Sequence, residues 1–309
     1  IQTYVAMSRL ASAYGGQGRF AEAEPLYRRM LVTLQKEFGG EHPRIFMVLA
    51  NLARNLHEQG RSDEAVALVK TVFDGSERVY GREVEVTAHV QQTSAMVLRS
   101  KGQLARSAAQ YRQALVIRRR LLGDTAPDTL WTIASIAEVI HAQGDSEQAE
   151  SLLRMLLEAH PRAGADNMHK RALLHTMDIF VEVLRARGKH DEAAALGQEL
   201  AAGATDAYDA RHYLIGVYLT NHARTLTALR RFEDAESMLD RAKANLAQGY
   251  NPNPAPVREL ADAYVALYEA WNAERPGTST KAKADAWRSR FAAANKAGPG
   301  RAAGVLAGS

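Results

Sequence analysis

The stretch "HEQGRSDEA", residues 57–65, and the stretch "AQGDSEQAE", residues 142–150, each carry a glycine followed five residues later by an alanine. Gly60 and Gly144 belong to a series with Gly18 and Gly102, in which successive members stand 42 residues apart. Gly188 follows Gly144 after 44 residues, and Arg230 takes the same place 42 residues further on, inside "ALRRFEDAE". Each series residue lies between two amphipathic stretches of helical period, where a tight turn needs a residue that accepts positive φ. The pattern predicts helix, hinge, helix, six times over residues 1–249.

Positions around the hinge repeat as well. Seven residues before it stand Ala11, Ala53, Ala95, Ala137, Val181 and Ala223, and five after it stand Ala23, Ala65, Ser107, Ala149, Ala193 and Ala235. Small residues on both sides let two helices cross at roughly 8–10 Å between axes. Larger apolar residues fill the seam: Leu10, Tyr14 and Tyr27 in the first unit, Leu52, Leu56 and Val69 in the second, Ile136, Ile140 and Leu153 in the fourth. One such pair cannot bury its apolar face alone, so neighbours must stack into a quasi-one-dimensional all-α solenoid.

The stretches "LASAYGGQGRFAEAEPLYRRML" and "NLARNLHEQGRSDEAVALVKTV" resemble the tetratricopeptide repeat. The resemblance implies a right-handed α-solenoid of antiparallel helix pairs and covers about four-fifths of the chain. The usual unit has about 34 residues, and the 42-residue period resembles the long-helix variant of kinesin light chains. The lead-ins "GGEHPRI" and "GDTAPDT" match that variant and place Pro43 and Pro127 near first helical positions, where proline is tolerated.

Some residues depart from the pattern. Ser94 and His222 stand where a large apolar residue is usual, Gly197 where a core side chain is expected, and Ile179 among polar positions, so the third and fifth units are expected to pack less regularly. Beyond "YNPNPAPV", residues 250–297 read as a seventh, capping helix pair with a longer loop, and residues 298–309 as a flexible tail. That ending resembles the terminal repeat of tetratricopeptide regions in bacterial serine/threonine kinases. The chain holds no Gly-rich nucleotide loop and no HRD-type or DFG-type sequence.

Composition narrows the function classes. The net charge is +4, but acids and bases interleave along the helices and no basic tract offers a nucleic-acid surface. With no Cys there is no disulfide framework, thiolate nucleophile or Cys-based zinc site. No apolar run reaches the roughly 18 residues of a membrane span. Ile1 opens directly into helical sequence without a signal-peptide pattern; lacking an initiator Met, the chain reads as a fragment or processed product, and its expected location is the cytoplasm.

In the resembled family the first helix of each pair lines a concave groove. Counted back from the hinge, positions 13, 9, 6 and 3 share one helix face. They give Met47, Asn51, Arg54 and His57 in the second unit; His89, Thr93, Met96 and Arg99 in the third; and Trp131, Ser135, Glu138 and His141 in the fourth. The fifth gives His175, Ile179, Glu182 and Arg185, and the sixth Val217, Asn221 and Arg224. Asn51 in "LANLA" and Asn221 in "LTNHA" match the family's groove asparagines, which hold an extended peptide backbone. Amides suit that role because they both donate and accept. The arginines supply planar donors for carboxylates, and Trp131 an apolar face. The expected partner is a protein or peptide segment with acidic and apolar residues; solvated charges and internal Arg–Glu pairs are the competing reading of the same stripe.

No cofactor or metal is expected. Ten histidines form no HExxH or comparable ligand set, and "GGQG" at 15–18 lacks the Lys-Ser/Thr of a phosphate loop. The reading is a non-enzymatic interaction scaffold, part of a larger bacterial signalling protein. The alternatives are a peptide sensor that changes superhelix pitch and a structural module whose end helices self-associate.

Overall fold

The computed structural model of the chain describes residues 2–40, 42–80, 84–159, 166–249, 253–276 and 279–296, together with Leu306. Among them run fourteen helices and no strand. In order they are α1 (Gln2–Gly16), α2 (Phe20–Phe38), α3 (Pro43–Glu58), α4 (Ser62–Tyr80), α5 (Glu85–Ser100), α6 (Leu104–Leu122) and α7 (Pro127–Ala142). Then follow α8 (Ser146–Ala159), α9 (Asn167–Ala186), α10 (His190–Ala207), α11 (Tyr213–Ala228), α12 (Phe232–Gln248), α13 (Ala255–Glu274) and α14 (Thr280–Lys296). Apart from Leu306, the stretch read as a flexible tail lies outside the described residues.

The repeated glycines stop the odd-numbered helices by one mechanism. Gly18, Gly60, Gly102, Gly144 and Gly188 have φ between 71° and 98°, and Arg230 holds 59° in their place. At all six hinges the following N–H reaches back to the carbonyl four residues before the hinge, at 2.8–3.2 Å. The hinge N–H itself donates to the carbonyl three residues before it, at 2.8–3.1 Å. This is the Schellman pair of bonds, which satisfies carbonyls a helix end leaves open and requires the left-handed conformation at its centre. Pro43 and Pro127 occupy first-turn positions, and His42 caps α3 by accepting from the Arg44 N–H at 3.3 Å.

All twelve small residues flanking the hinges are buried, to 1% exposure or less. Ser107 replaces alanine there without leaving a polar orphan, because its hydroxyl donates to the Ala95 carbonyl at 2.8 Å. Tyr27, Met30 and Leu34 of α2 join Val48, Leu52 and Leu56 of α3 in one apolar cluster. The second helix of one pair thus covers the first helix of the next.

The chain forms two compact units, residues 1–176 and 177–309, with the boundary inside α9. In the first, α2 packs on α3, α4 on α5, α6 on α7, and α3 on α5. Among the described residues of its core Arg118 of α6 is fully buried: it donates to the Asp128 carbonyl and the Thr132 hydroxyl, at 3.2 and 2.7 Å, and faces Glu85 at 3.4 Å. In the second unit α10 packs on α11, and α13 on α11, α12 and α14. There Tyr264 stacks on Trp287 at 4.0 Å and donates to Asp240 at 2.6 Å, while Tyr268 donates to Glu236 at 2.6 Å. Two departures from the repeat answer each other in this unit: Gly197 of α10 leaves the room that buried His222 of α11 fills.

Candidate functional site

The stripe on the first helices must be built separately in each unit. In the first unit it joins neighbouring helices through its own side chains. Nε2 of His89 on α5 donates to Oδ1 of Asn51 on α3 at 3.0 Å. Two units on, the rings of Trp131 on α7 and His175 on α9 stack with centroids 3.9 Å apart and an 11° tilt, and His175 Nε2 lies 3.5 Å from the Ser135 hydroxyl. Arg99 on α5 forms an ion pair with Glu138 on α7. Tyr111, reaching in from α6, hydrogen-bonds both Ser135 and Arg99, and burial raises its pKa.

Burial keeps both bridging histidines neutral. The pKa of His89 is lowered to about 3 by burial and then by the charges of Arg54 and Arg118; that of His175 falls to about 3 through burial and the Arg99 charge. Arg54 itself is exposed, one helical turn from Asn51, and pairs with no carboxylate among the described residues. Asn51 spends its oxygen on His89. Its amide N–H groups and the Arg54 guanidinium are the donors this part of the face offers.

His57 and His141 make a contact that their spacing does not reveal. Their Nδ1 atoms lie 3.2 and 2.8 Å from the hydroxyls of Ser62 and Ser146, the first residues of α4 and α8. Both therefore brace the hinge between the two helices of their own pair.

In the second unit Asn221 donates to Asp178 at 2.9 Å, and Arg224 donates to Asn221 at 3.3 Å and to the Glu259 carbonyl at 3.0 Å. Arg224 also faces Asp262 at 3.7 Å. Burial lowers the pKa of Arg185, with Arg224 adding to the effect and Glu182 and Asp178 opposing it. The predicted residues Glu182, Arg185, Asn221 and Arg224 thus form one mixed cluster with Asp178, Glu259 and Asp262. Ile179, flagged as breaking the polar stripe, is buried.

The spacing of the stripe does not reach Asp178, Glu259, Asp262 or Tyr111. Asp178 stands one residue off it, Glu259 and Asp262 lie on α13 beyond the glycine series, and Tyr111 occupies a position that reads as core.

With hinges, seams and this face described, comparison with known proteins decides the family. The tetratricopeptide repeat model matches residues 2–78 and 84–162, just over half of the chain. The chain belongs to the tetratricopeptide repeat family. Among curated proteins, this tetratricopeptide chain is similar to the cellulose synthase operon protein C of Pseudomonas fluorescens, at 26% identity over 152 residues. The match covers 49% of the chain but only 11% of that relative's own length.

Among solved structures, the putative kinesin light chain of Podosopora anserina with nearly identical TPR-like repeats is similar at 21% identity and a TM-score of 0.51. That likeness covers 65% of this chain and 94% of the other. The Rap conjugation gene regulator of plasmid pLS20, solved with the Phr* peptide, is similar at 12% identity and a TM-score of 0.62, over 93% of this chain and 73% of the other. These likenesses are likenesses of fold. No described helix of the tetratricopeptide chain is long and apolar enough to cross a membrane.

Proposed function

We propose that the chain is a protein-interaction module, acting by binding rather than catalysis, and that the first-helix face of residues 1–176 takes an extended peptide with acidic and apolar side chains. The observation that carries the reading is the pairing, on one stripe, of open donors at Asn51 and Arg54 with the stacked Trp131–His175 rings. An extended peptide needs donors for its carbonyls and a flat apolar surface for a side chain, and the stripe offers both. The fold likeness to a regulator solved with a peptide supports the same reading.

Selection for acidic residues falls to Arg54 in this proposal. Arg99 is held by Glu138, and Arg185 and Arg224 stand among four carboxylates in the other unit, so those three serve to shape the face. Residues 1–249 are taken as six repeat pairs and 250–297 as a capping pair. The exposed Lys281, Lys283, Asp285 and Arg288 of α14 suit an end that meets solvent. We place the module within a larger bacterial signalling protein, in keeping with the resemblance of its terminal pair.

The test is a peptide array probed with the chain and with Asn51→Ala and Arg54→Ala variants, at low and physiological salt. Acidic peptides retained by the chain and lost by both variants support the reading. Retention by both variants rejects this face as the site.

A further inference from the structure

Acids and bases interleave along most of the helices, but not along α6. Each of the second helices α2, α4, α8, α10 and α12 carries three or four acidic residues, whereas α6 carries none and five arginines. The difference begins in its first turn. At three other hinges an arginine one residue past the hinge pairs with an acid four residues past it: Arg19 with Glu22, Arg61 with Glu64 and Arg231 with Asp234. At the third hinge those places hold Gln103 and Arg106, and Arg106 donates to Oε1 of Gln103 at 2.7 Å. A cation in the first turn meets the positive end of the helix dipole, where an acid would be stabilising, so Arg106 does not serve the helix. Further along, Arg118 turns inward and is buried, while Arg112, Arg119 and Arg120 are exposed. By helical spacing Arg112 and Arg119 lie on one side of Val116, and Arg106 and Arg120 on the other. Val116 itself is 70% exposed. Arg112 makes no ion pair among the described residues. Arg119 pairs with Asp124 at 2.8 Å, both side chains more than half exposed, and such a pair exchanges partners at little cost.

We infer that the outer face of α6 is a docking surface for an acidic segment of a partner protein, one with an apolar side chain among its carboxylates. Charge complementarity selects the acids: four exposed arginines spread over about 21 Å of one helix, and no carboxylate on that helix answers them. Each guanidinium can take a carboxylate through two parallel hydrogen bonds. Val116, with arginines on either side, is where the apolar contact falls, because covering it removes apolar surface from water while the charges around it find partners. Other anionic surfaces fit less well. Apart from Val116 the outermost line of α6 holds Ala105 and Ala109, and exposed Leu121 and Leu122 lie more than a quarter turn away, which leaves little to enter a lipid layer. A phosphate backbone would set Val116 against charge. The face belongs to a second helix and is separate from the first-helix stripe, so the inference does not rest on the groove reading.

The probe is a fluorescein-labelled peptide of the repeating sequence Glu-Leu-Glu-Glu, with Gln-Leu-Gln-Gln as its uncharged counterpart, read by fluorescence anisotropy. It is titrated with the unaltered chain, with Arg54→Ala, with Val116→Ser and with the double variant Arg106→Glu/Arg112→Glu. Both arginines are exposed, and a glutamate at 106 restores the acid that other first turns carry, so thermal unfolding of the double variant should stay level or rise. The expected result is saturable binding of the acidic peptide alone, weakened at least tenfold by the double reversal and severalfold by Val116→Ser, retained by Arg54→Ala, and reduced as salt rises. Absence of binding, or equal binding by the double variant, overturns the proposal. Loss through Arg54→Ala with the double variant unaffected would assign the peptide to the groove and overturn it as well. Phosphatidylglycerol vesicles or a DNA duplex, bound more tightly than the peptide and released by the same double reversal, would overturn the choice of a protein partner. Because the two sets of substitutions lie on different helices, failure here and failure of the groove reading are separable.

Discussion

A Cβ placed on Gly197 would stand 2.5 Å from Nδ1 of His222, so the glycine in α10 and the histidine in α11 form a matched pair, one vacating the volume the other uses. In the other repeats the same two places hold larger pairings such as Tyr27 with Leu52. Glycine inside a helix costs about 1 kcal/mol relative to alanine, yet overpacking a core costs about 1–3 kcal/mol. Gly197→Ala is therefore expected to destabilise the second unit, against the usual helix rule. His222→Ala in the same background should restore most of the loss. Urea unfolding of the two single variants and the double variant measures the coupling; simple additivity would show that the two residues do not share a space.

The hinges make opposite predictions for glycine and arginine. Gly102 has φ of 71° with nothing within 4 Å of a Cβ, so the cost of Gly102→Ala is purely conformational, about 1–2 kcal/mol. Arg230→Gly relieves the same strain at the sixth hinge. It forfeits only an exposed ion pair with Glu274 at 3.1 Å, and such pairs are worth about 0–1 kcal/mol. Thermal unfolding should move down for the first variant and up or not at all for the second.

Leu52→Ala is expected to cost about 2–5 kcal/mol, the range for a fully buried leucine. Leu10→Ala, at the equivalent position of α1 but 45% exposed, should change stability by no more than about 0.5 kcal/mol. Similar losses at both sites would mean that α1 is covered in solution.

His89 and His175 tie stability to pH. Each has a folded pKa near 3, well below the ordinary histidine value of 6.5, so the unfolded chain binds protons that the folded chain refuses. Their contribution is fully present above about pH 6.5 and is lost as pH falls toward 3. His175→Phe keeps a ring against Trp131 and removes one titrating group, so its stability should fall less steeply between pH 6 and 4. An unchanged slope would place the pH dependence elsewhere.

The repeat architecture was legible because one backbone requirement, a left-handed residue closing a Schellman turn, recurs at a fixed period and selects glycine almost every time. Arg230 was legible only through its neighbours, since the turn tolerates what it does not prefer. The candidate face was legible in part. Helical spacing located Asn51, His89, Trp131 and His175 on one stripe, but not that His89 donates to Asn51 or that the two rings stack. Those depend on how far side chains reach between helices 38–44 residues apart in sequence. His57 and His141 share the stripe's register and also reach the hydroxyls of Ser62 and Ser146, a contact across the hinge that helical spacing does not reveal. Arg118 was unreadable: it takes the position that holds Leu34 in the first repeat, and only its partners at Glu85, Asp128 and Thr132 make burial of the charge tolerable.

The cross-links on the face of the first unit also set its mechanics. Asn51 to His89, Arg99 to Glu138 and Trp131 to His175 each span adjacent first helices on the same side. Flexing that spreads this side must pull all three couplings apart, whereas flexing that draws it together shortens them. All three already sit at contact distance, so shortening them meets repulsion as stretching them loses attraction, and together they act as struts that fix the spacing of neighbouring first helices.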